Sequence, residues 1–383
     1  MLPRSISYTD SKRSRRDPTA PLRHLDPVLL AVSVALGLIG VVAVYSATRG
    51  PGPTYVDTYL VRQLGFVVVG VGVMAVFALV DYHKLHDWAW VFYAATTALL
   101  VLVLSPLGTG SETKGAQAWF GLGPFQLQPA EFAKLSLIGA LAFLLSEFRG
   151  DIDLRRLAAL LVVAALPMGL IMLQPDIGLT MVLTVITLAL LVVGGVPARY
   201  LVALLLVAAV GVVGVVNSPV LKEYQRERLT SFIDPENTSE AATYNVDQSQ
   251  QAIASGGMSG QGLFDGPQTR LGFVPEQETD FIFTSVAEQF GFVGSAIVLG
   301  LYGVLCFRIW RIASIARDPF GSFVCIGVLA MFAFSVFENV GMAMGIMPVT
   351  GIPLLLLSSG GSSTITAFAA LGLVLNVHMR RFR

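Results

Sequence analysis

Charge is what this chain has least of. Only 13% of its residues are charged, against roughly 25% in soluble domains, while 54% are hydrophobic and the mean hydropathy is +0.71. A composition so poor in charge must be solvated by lipid, which sets aside the domain-count rules of soluble proteins. Cysteine is nearly absent: Cys306 and Cys325 fall in or beside apolar runs and read as packing residues, so no disulfide is expected. The histidines His24, His83, His86 and His378 form no His/Cys cluster, so no zinc site is expected. GxSxG and P-loop patterns are missing, which leaves the nucleophile-elbow and nucleotide-binding classes without support. No short-period repeat is visible, and a nucleic-acid partner is not expected.

What the chain has is long apolar runs. Crossing a bilayer takes about 20 apolar residues in a helix. Runs of that order lie near 28–45, 64–80, 88–105, 131–146, 157–173, 178–194, 199–217, 281–307, 320–345 and 363–378. The fifth and sixth are separated only by Leu173-Gln174-Pro175-Asp176. Lipid leaves no water to satisfy backbone groups, so such runs predict a helical bundle, and the short alternating segments of a β-barrel are absent. The expected fold class is therefore all-α: a polytopic membrane bundle of about ten helices. Residues 1–26 read as a basic, disordered tail. Residues 27–378 read as the membrane domain, and 379–383 as a short second tail. The first apolar run is long enough to span, so a cleaved leader is not expected.

Lysine and arginine orient the bundle. Arg4, Lys12, Arg13, Arg15, Arg16 and Arg23 crowd the N-terminal tail, and Arg380, Arg381 and Arg383 close the chain. With both termini cytoplasmic, Lys84, Arg149, Arg155, Arg156, Arg199, Arg308, Arg311 and Arg317 also fall inside. Arg49, Arg62, Lys114, Lys222, Arg226, Arg228 and Arg270 are left outside. That asymmetry predicts N-in, C-in topology. It also puts three unusual loops on the outer side. Residues 106–130 are rich in Gly, Pro and Gln. Residues 218–280 are longer than most structureless connections and strongly acidic, so function or local structure is expected there. Residues 346–362, IMPVTGIPLLLLSSGGS, predict irregular backbone facing a cavity, with Ser358, Ser359 and Ser362 along it.

The chemistry-bearing groups gather on that side. In LGFVPEQETDFIFTSVAEQFG (271–291) a carboxylate-rich loop passes directly into apolar sequence at Asp280-Phe281. Asp280 reads equally as a helix N-cap, which would lower its basicity, or as a functional base at the membrane boundary. Glu288 lies roughly 80° around a helix from Asp280 by the 3.6-residue period. With Thr284 between them, the three predict one broad polar face turned to the interior. Glu131 and Lys134, at i and i+3 in the fourth run, are helix neighbours. They read either as a neutralising pair or as a lysine aimed at an anionic substrate group with Glu131 orienting it. Arg226, Arg228, Arg270 and Lys114 could bind phosphate or could be solvated loop charges. Gly256, Gly257, Gly260 and Gly262 in SGGMSGQG lack the strand–helix setting of a phosphate cradle and read as turns and close packing.

Six ordered segments carry a resemblance: KGAQAWFGLGPFQLQPAEFAKL (114–135), QPDIGLT (174–180), YQRERLTSFIDP (224–235), YNVDQSQQAIASGGMSGQG (244–262), LGFVPEQETDFIFTSVAEQFG (271–291) and NVGMAMGIMPVTGIPLLLLSSGGSS (339–363). Through them the chain resembles, over its transmembrane length, the SEDS family of bacterial cell-wall membrane proteins (shape, elongation, division, sporulation). PEQETDFIF and MPVTGIP look more like the elongation branch than the division branch. The resemblance implies a ten-span peptidoglycan glycosyltransferase that polymerises lipid II beside a class B penicillin-binding protein. It puts the family's essential aspartate on Asp280 and its charged pair on Glu131 and Lys134. Lys114, Arg226, Trp119, Gln277, Glu288, Ser358 and Ser362 complete the expected substrate contacts, and a divalent cation, Mg or Mn, is a candidate cofactor. The sequence departs from the pattern at Ala118, where an arginine usually precedes the tryptophan, and at Ala130, Leu355 and Ser359, where serine, proline and an aromatic are common. The missing arginine removes a cation from a site that handles pyrophosphate.

Two other classes fit the same spans. A lipid-precursor flippase or transporter would place its essential charges near the midplane with access from both sides. A non-catalytic scaffold would tolerate loss of the Asp280 carboxylate.

Overall fold

The computed structural model describes residues 24–50, 57–110, 117–123, 125–148, 150–216 and 240–382. In chain order the elements are α1 (Pro27–Thr48), α2 (Asp57–Leu79), α3 (Tyr82–Val103), β1 (Phe120–Leu122), β2 (Phe125–Leu127), α4 (Pro129–Phe148), α5 (Leu154–Met172), α6 (Ile177–Val193) and α7 (Ala198–Val216). They continue with α8 (Glu240–Gly256), α9 (Pro267–Leu271), α10 (Ile282–Ser314), α11 (Pro319–Ala343) and α12 (Gly361–Met379). Among the described residues, eight helices are long and apolar enough to cross a membrane, α1 to α5 and α10 to α12. Two shorter apolar helices, at Ile177–Val193 and Ala198–Ala208, stand where the sixth and seventh spans are expected. The protein is an all-α polytopic membrane bundle.

Much of the sparse acid is spent on starting helices. Asp26 accepts the Val28 and Leu29 amides at 3.1 and 3.0 Å, with Pro27 opening α1. Asp153 accepts the Arg156 amide at 2.8 Å, Asp176 that of Leu179 at 2.9 Å, and Asp318 that of Gly321 at 2.9 Å. A carboxylate there satisfies amides that have no intrahelical partner and meets the positive end of the helix dipole.

α12 is the buried axis, enclosed along nearly its whole length and packed along α2. Small residues allow the approach: a Cβ on Gly372 would lie 2.5 Å from the Met74 carbonyl oxygen, and one on Gly70 2.4 Å from the Phe368 ring. α4, α6 and α11 pack together beside it. The loop between α11 and α12 is irregular and buried in protein, with Ile352 and Leu354 to Ser358 hidden. Gly40 of α1 makes room, since a Cβ there would fall 2.5 Å from the Leu356 carbonyl oxygen. Non-helical backbone at such a place is tolerated because protein, not lipid, surrounds it.

Two features were not visible in the sequence pattern. Residues read as a Gly/Pro loop form a small antiparallel hairpin, β1 on β2, with Phe120 opposite Leu127. The helix following Asp280 is broken inside its span: Gly291 has φ 63° and ψ −159°. The glycine-rich segment 257–262 fills that break. Gln261 and Gly262 donate to the carbonyls of Glu288 and Gln289 at 3.0 Å, and Phe292 donates to Gly257 O at 2.9 Å. The glycines there serve close packing, as their context suggested, because a Cβ on Gly256 would sit 2.1 Å from the Ala287 carbonyl oxygen.

Candidate active site

Asp280 sits half-buried at one end of the bundle, on the last turn before α10. Its backbone is held from both sides. Its amide donates to Glu276 O at 3.0 Å, and its carbonyl accepts the Asn339 side-chain amide at 2.7 Å. The same Asn339 nitrogen donates to Ile352 O at 2.8 Å, so one side chain of α11 pins the start of α10 and the buried loop together. The Ser359 amide adds a further tie, to Glu278 O at 2.8 Å. Gly351, at φ +75°, faces the carboxylate: a Cβ there would lie 3.2 Å from Asp280 Oδ2. The N-cap position of α10 is Phe281, one residue after Asp280.

Around Asp280 lies a group of acids with one buried ion pair. Lys134 Nζ meets Glu131 Oε2 at 2.7 Å, and both side chains are about fully enclosed in α4, as the i, i+3 spacing suggested. Asp176, at the start of α6, is influenced electrostatically by Glu131, Lys134 and Asp280. Burial pushes its carboxyl up to about 6; the negative charges of Glu131 and Asp280 add to this, while the Leu179 amide and Lys134 oppose it. Glu338 of α11, 0% exposed, accepts the Thr350 hydroxyl on Oε1 and also lies within the field of Asp280. Gly178 brings α6 onto this loop, a Cβ there falling 2.7 Å from Thr350 O. Asp176, Glu338, Asn339 and Thr350 were missed in the sequence. Glu338 carried the same signal as Glu288, a lone acid within an apolar run.

The chain that carries this arrangement has relatives among known proteins. The family model for cell cycle proteins of the FtsW/RodA/SpoVE type matches residues 26–382. The chain belongs to this family. It is 34% identical to the peptidoglycan glycosyltransferase RodA of Treponema pallidum, over 93% of this chain and 98% of that protein. It is 35% identical to the peptidoglycan glycosyltransferase MrdB of Escherichia coli, over 94% of each. A solved chain from work on coordination of polymerization and crosslinking by a peptidoglycan synthase complex superposes with a TM-score of 0.80, at 36% identity. That match covers 94% of this chain and 99% of that one. The resemblance carried by the six sequence segments is therefore family membership, and the chain is a multi-pass membrane member of it.

In this FtsW/RodA/SpoVE chain several expected substrate contacts have other work. Glu288 does not share a polar face with Asp280. Its oxygens take the Gln268 amide at 2.7 Å and the Thr269 amide and hydroxyl at 2.9 and 2.5 Å, which caps α9 from inside. Thr284 instead meets Ser249 of α8 at 2.6 Å. Gln277, buried, donates to the Thr269 hydroxyl at 3.0 Å and so braces the same cap. Ser358 accepts the Leu354 amide at 2.9 Å, and its carbonyl accepts from Gln63 at 3.2 Å. Ser362 ties β2 to α12 by accepting the Gln128 amide at 3.0 Å. Each of these polar atoms is committed to holding the loops in register. Trp119 pairs by its backbone with Thr109, whose amide donates to Trp119 O at 2.7 Å. Lys114 and Arg226 lie outside the described residues. Of the departures from the family pattern, Ala118 and Ala130 are both buried. Among the described residues no three His, Cys, Asp or Glu side chains converge as a metal cage.

Proposed function

We propose that this chain polymerises lipid II into glycan strands at the outer face of the cytoplasmic membrane, with Asp280 as the base. The observation that carries the reading is Asp280 itself: a half-buried carboxylate fixed through its own backbone and electrostatically linked to the buried Glu131–Lys134 pair through Asp176. The glycosyltransferase activity named for the relatives supports the same chemistry.

In the reaction an acceptor sugar hydroxyl attacks the anomeric carbon of the donor. Its proton passes to the Asp280 carboxylate as the new C–O bond forms. The bond from that carbon to the pyrophosphate oxygen breaks, and polyprenyl pyrophosphate leaves with the electron pair. One base and one displacement imply inversion at the anomeric carbon. The leaving charge calls for cations, and Lys134 with Lys114 and Arg226 are assigned to it. Both termini, with the basic tail 1–26 and the short tail 379–383, are assigned to the cytoplasm by their arginine and lysine content. The similar chain from a peptidoglycan synthase complex supports a class B penicillin-binding protein as partner.

Purified protein given lipid II and assayed for glycan product tests the base. Asp280→Asn is expected to lower polymerisation by roughly 10²–10⁴-fold with folding intact. Near-normal polymer from that variant would remove Asp280 from the role. Transport of precursor without polymer would favour a flippase, and unimpaired growth of cells carrying the variant would favour a scaffold.

A further inference from the structure

Glu338 is a carboxylic acid inside a membrane-spanning helix, near the end of α11 that faces Asp280, and glycosyl transfer by a single base gives it no task. Its surroundings are specific. The side chain is fully buried, Oε1 accepts the Thr350 hydroxyl, and Oε2 meets no hydrogen-bond partner among the described residues. The next residue, Asn339, holds the Asp280 carbonyl at 2.7 Å and the Ile352 carbonyl at 2.8 Å. Thr350 and Gly351 therefore form a two-residue bridge between carboxylates. Thr350 donates to Glu338, and Gly351 lies against Asp280, where an added Cβ would be 3.2 Å from Oδ2.

We propose that Glu338 is a positioning residue for glycosyl transfer: with Asp280 it forms a coupled carboxylate pair that holds one proton at working pH, kept on Glu338. Two neighbouring carboxylates in a poorly solvated site do not both ionise without mutual cost, and they titrate as a pair. Of the two, Glu338 is sealed in protein while Asp280 is half-exposed, so the charge belongs on Asp280. Asp280 then remains an ionised base, and the site adds no second fixed negative charge against an anionic substrate. Among the described residues, the other ionisable groups at this end on elements packed against α11 include Glu131 and Lys134 of α4, paired with each other, Asp176 at the start of α6, Glu288 of α10, held by Gln268 and Thr269, and Tyr244 and Asp247 on the exposed side of α8.

The inference rests on Asp280 as base, and the pH profile of kcat/KM for polymerisation of lipid II by the full chain tests it. In the unaltered protein, activity should fall on the alkaline side as Glu338 gives up its proton. Glu338→Gln, which mimics the protonated acid, should move that alkaline limb upward by at least about one pH unit and leave the acid limb in place. Thr350→Val should move the same limb upward by less, because the lost hydroxyl donates to the ionised form, and Thr350→Ser should restore it. A purely structural Glu338 would change yield or thermal midpoint without moving either limb. A folded Glu338→Gln protein whose alkaline limb overlays that of the unaltered protein overturns the pair. Should that variant fail to fold, an unmoved limb in Thr350→Val overturns it instead. The outcomes separate from failure of the base reading: an active Asp280→Asn removes the base, whereas an inactive Asp280→Asn with unmoved limbs removes only the pair.

Discussion

Two aspartates start helices at opposite ends of this bundle, do the same local job, and are held in opposite electrostatic states. Asp26 caps α1 and Asp176 caps α6, each accepting amides from the first turn. Burial would raise Asp26, but the Leu29 amide and the Arg308 guanidinium outweigh it and hold the carboxyl below its usual range. At Asp176 burial prevails and Glu131 and Asp280 reinforce it, leaving the group at about 6. The surroundings generalise the contrast. At the Asp26 end acids meet bases or phenols: Arg308 on Asp26, Arg380 within 3.5 Å of Asp81, Tyr82 on Asp318. Arg380 and Asn376 also reach over to the last carbonyls of α2, with Arg380 at 2.6 Å from Leu79 O and Asn376 at 2.5 Å from Phe77 O. At the Asp280 end, Asp176 lies in the field of Glu131, Lys134 and Asp280, and Glu338 in that of Asp280. One end is organised for stability. The other keeps opposed charge in place, the condition a site needs to move a proton at neutral pH.

The largest effect should come from the buried ion pair of α4, Glu131 with Lys134. Lys134→Met strands Glu131 as an uncompensated buried charge, at a cost of about 3–5 kcal/mol, and expression should fall with activity. The double variant Glu131→Gln/Lys134→Met removes both charges and should recover most of the lost thermal stability. If it also recovers polymerisation, Lys134 is only a neutralising partner. If stability returns while activity stays lost, the lysine stabilises the departing pyrophosphate. The two readings left open by i, i+3 spacing are thereby separated.

At the matched end the expectation differs in kind. Asp26→Asn keeps a capping side chain but removes the charge that Arg308 binds through Nε at 2.9 Å. The loss should be about 1.5–3 kcal/mol, the range for hydrogen bonds to charged groups, read as a lower thermal midpoint in detergent. Polymerisation per folded molecule should not change. A fall in specific activity beyond the loss of folded protein would break the division between a stabilising and a working end.

How much of this could be read from the chain depends on the range of the interaction. The spans follow from apolar run length, and Glu131–Lys134 follows from helix periodicity, both local properties. The turn Leu173–Asp176 also fell between helices as its composition indicated. Glu288 misled because its partners, Gln268 and Thr269, are about twenty residues earlier on a helix of a single turn, which no periodicity in 281–291 reveals. The ties on the Asp280 backbone were equally out of reach, because Asn339 is 59 residues further along the chain. Asn339 and Glu338 act through Asp280, Thr350 and Ile352, brought together by the packing of α10, α11 and the buried loop, so their roles existed only once the bundle was assembled.

The smallest effect is the one that tests the opening contrast most directly. Because the folded-state value of Asp176 is raised from 3.8 to about 6, its contribution to stability is fully present below the unfolded value and is lost as pH rises through about 6. Asp26 has the opposite sign: its contribution is present above 3.8 and is lost as pH falls through its depressed folded value. Thermal midpoints measured from pH 2 to pH 8 should therefore respond in opposite ways, through Asp176 between pH 3.8 and about 6 and through Asp26 below pH 3.8. In Asp176→Asn the stability lost between pH 4 and pH 7 should be smaller than in the unaltered chain, since asparagine still caps α6 but has no proton to release. In Asp26→Asn the deficit relative to the unaltered chain should be widest near neutrality and narrow toward acid. Asp176→Asn with an unchanged pH slope would mean that its carboxyl is better solvated than its neighbours imply, and the acidic end would lose one of its coupled members.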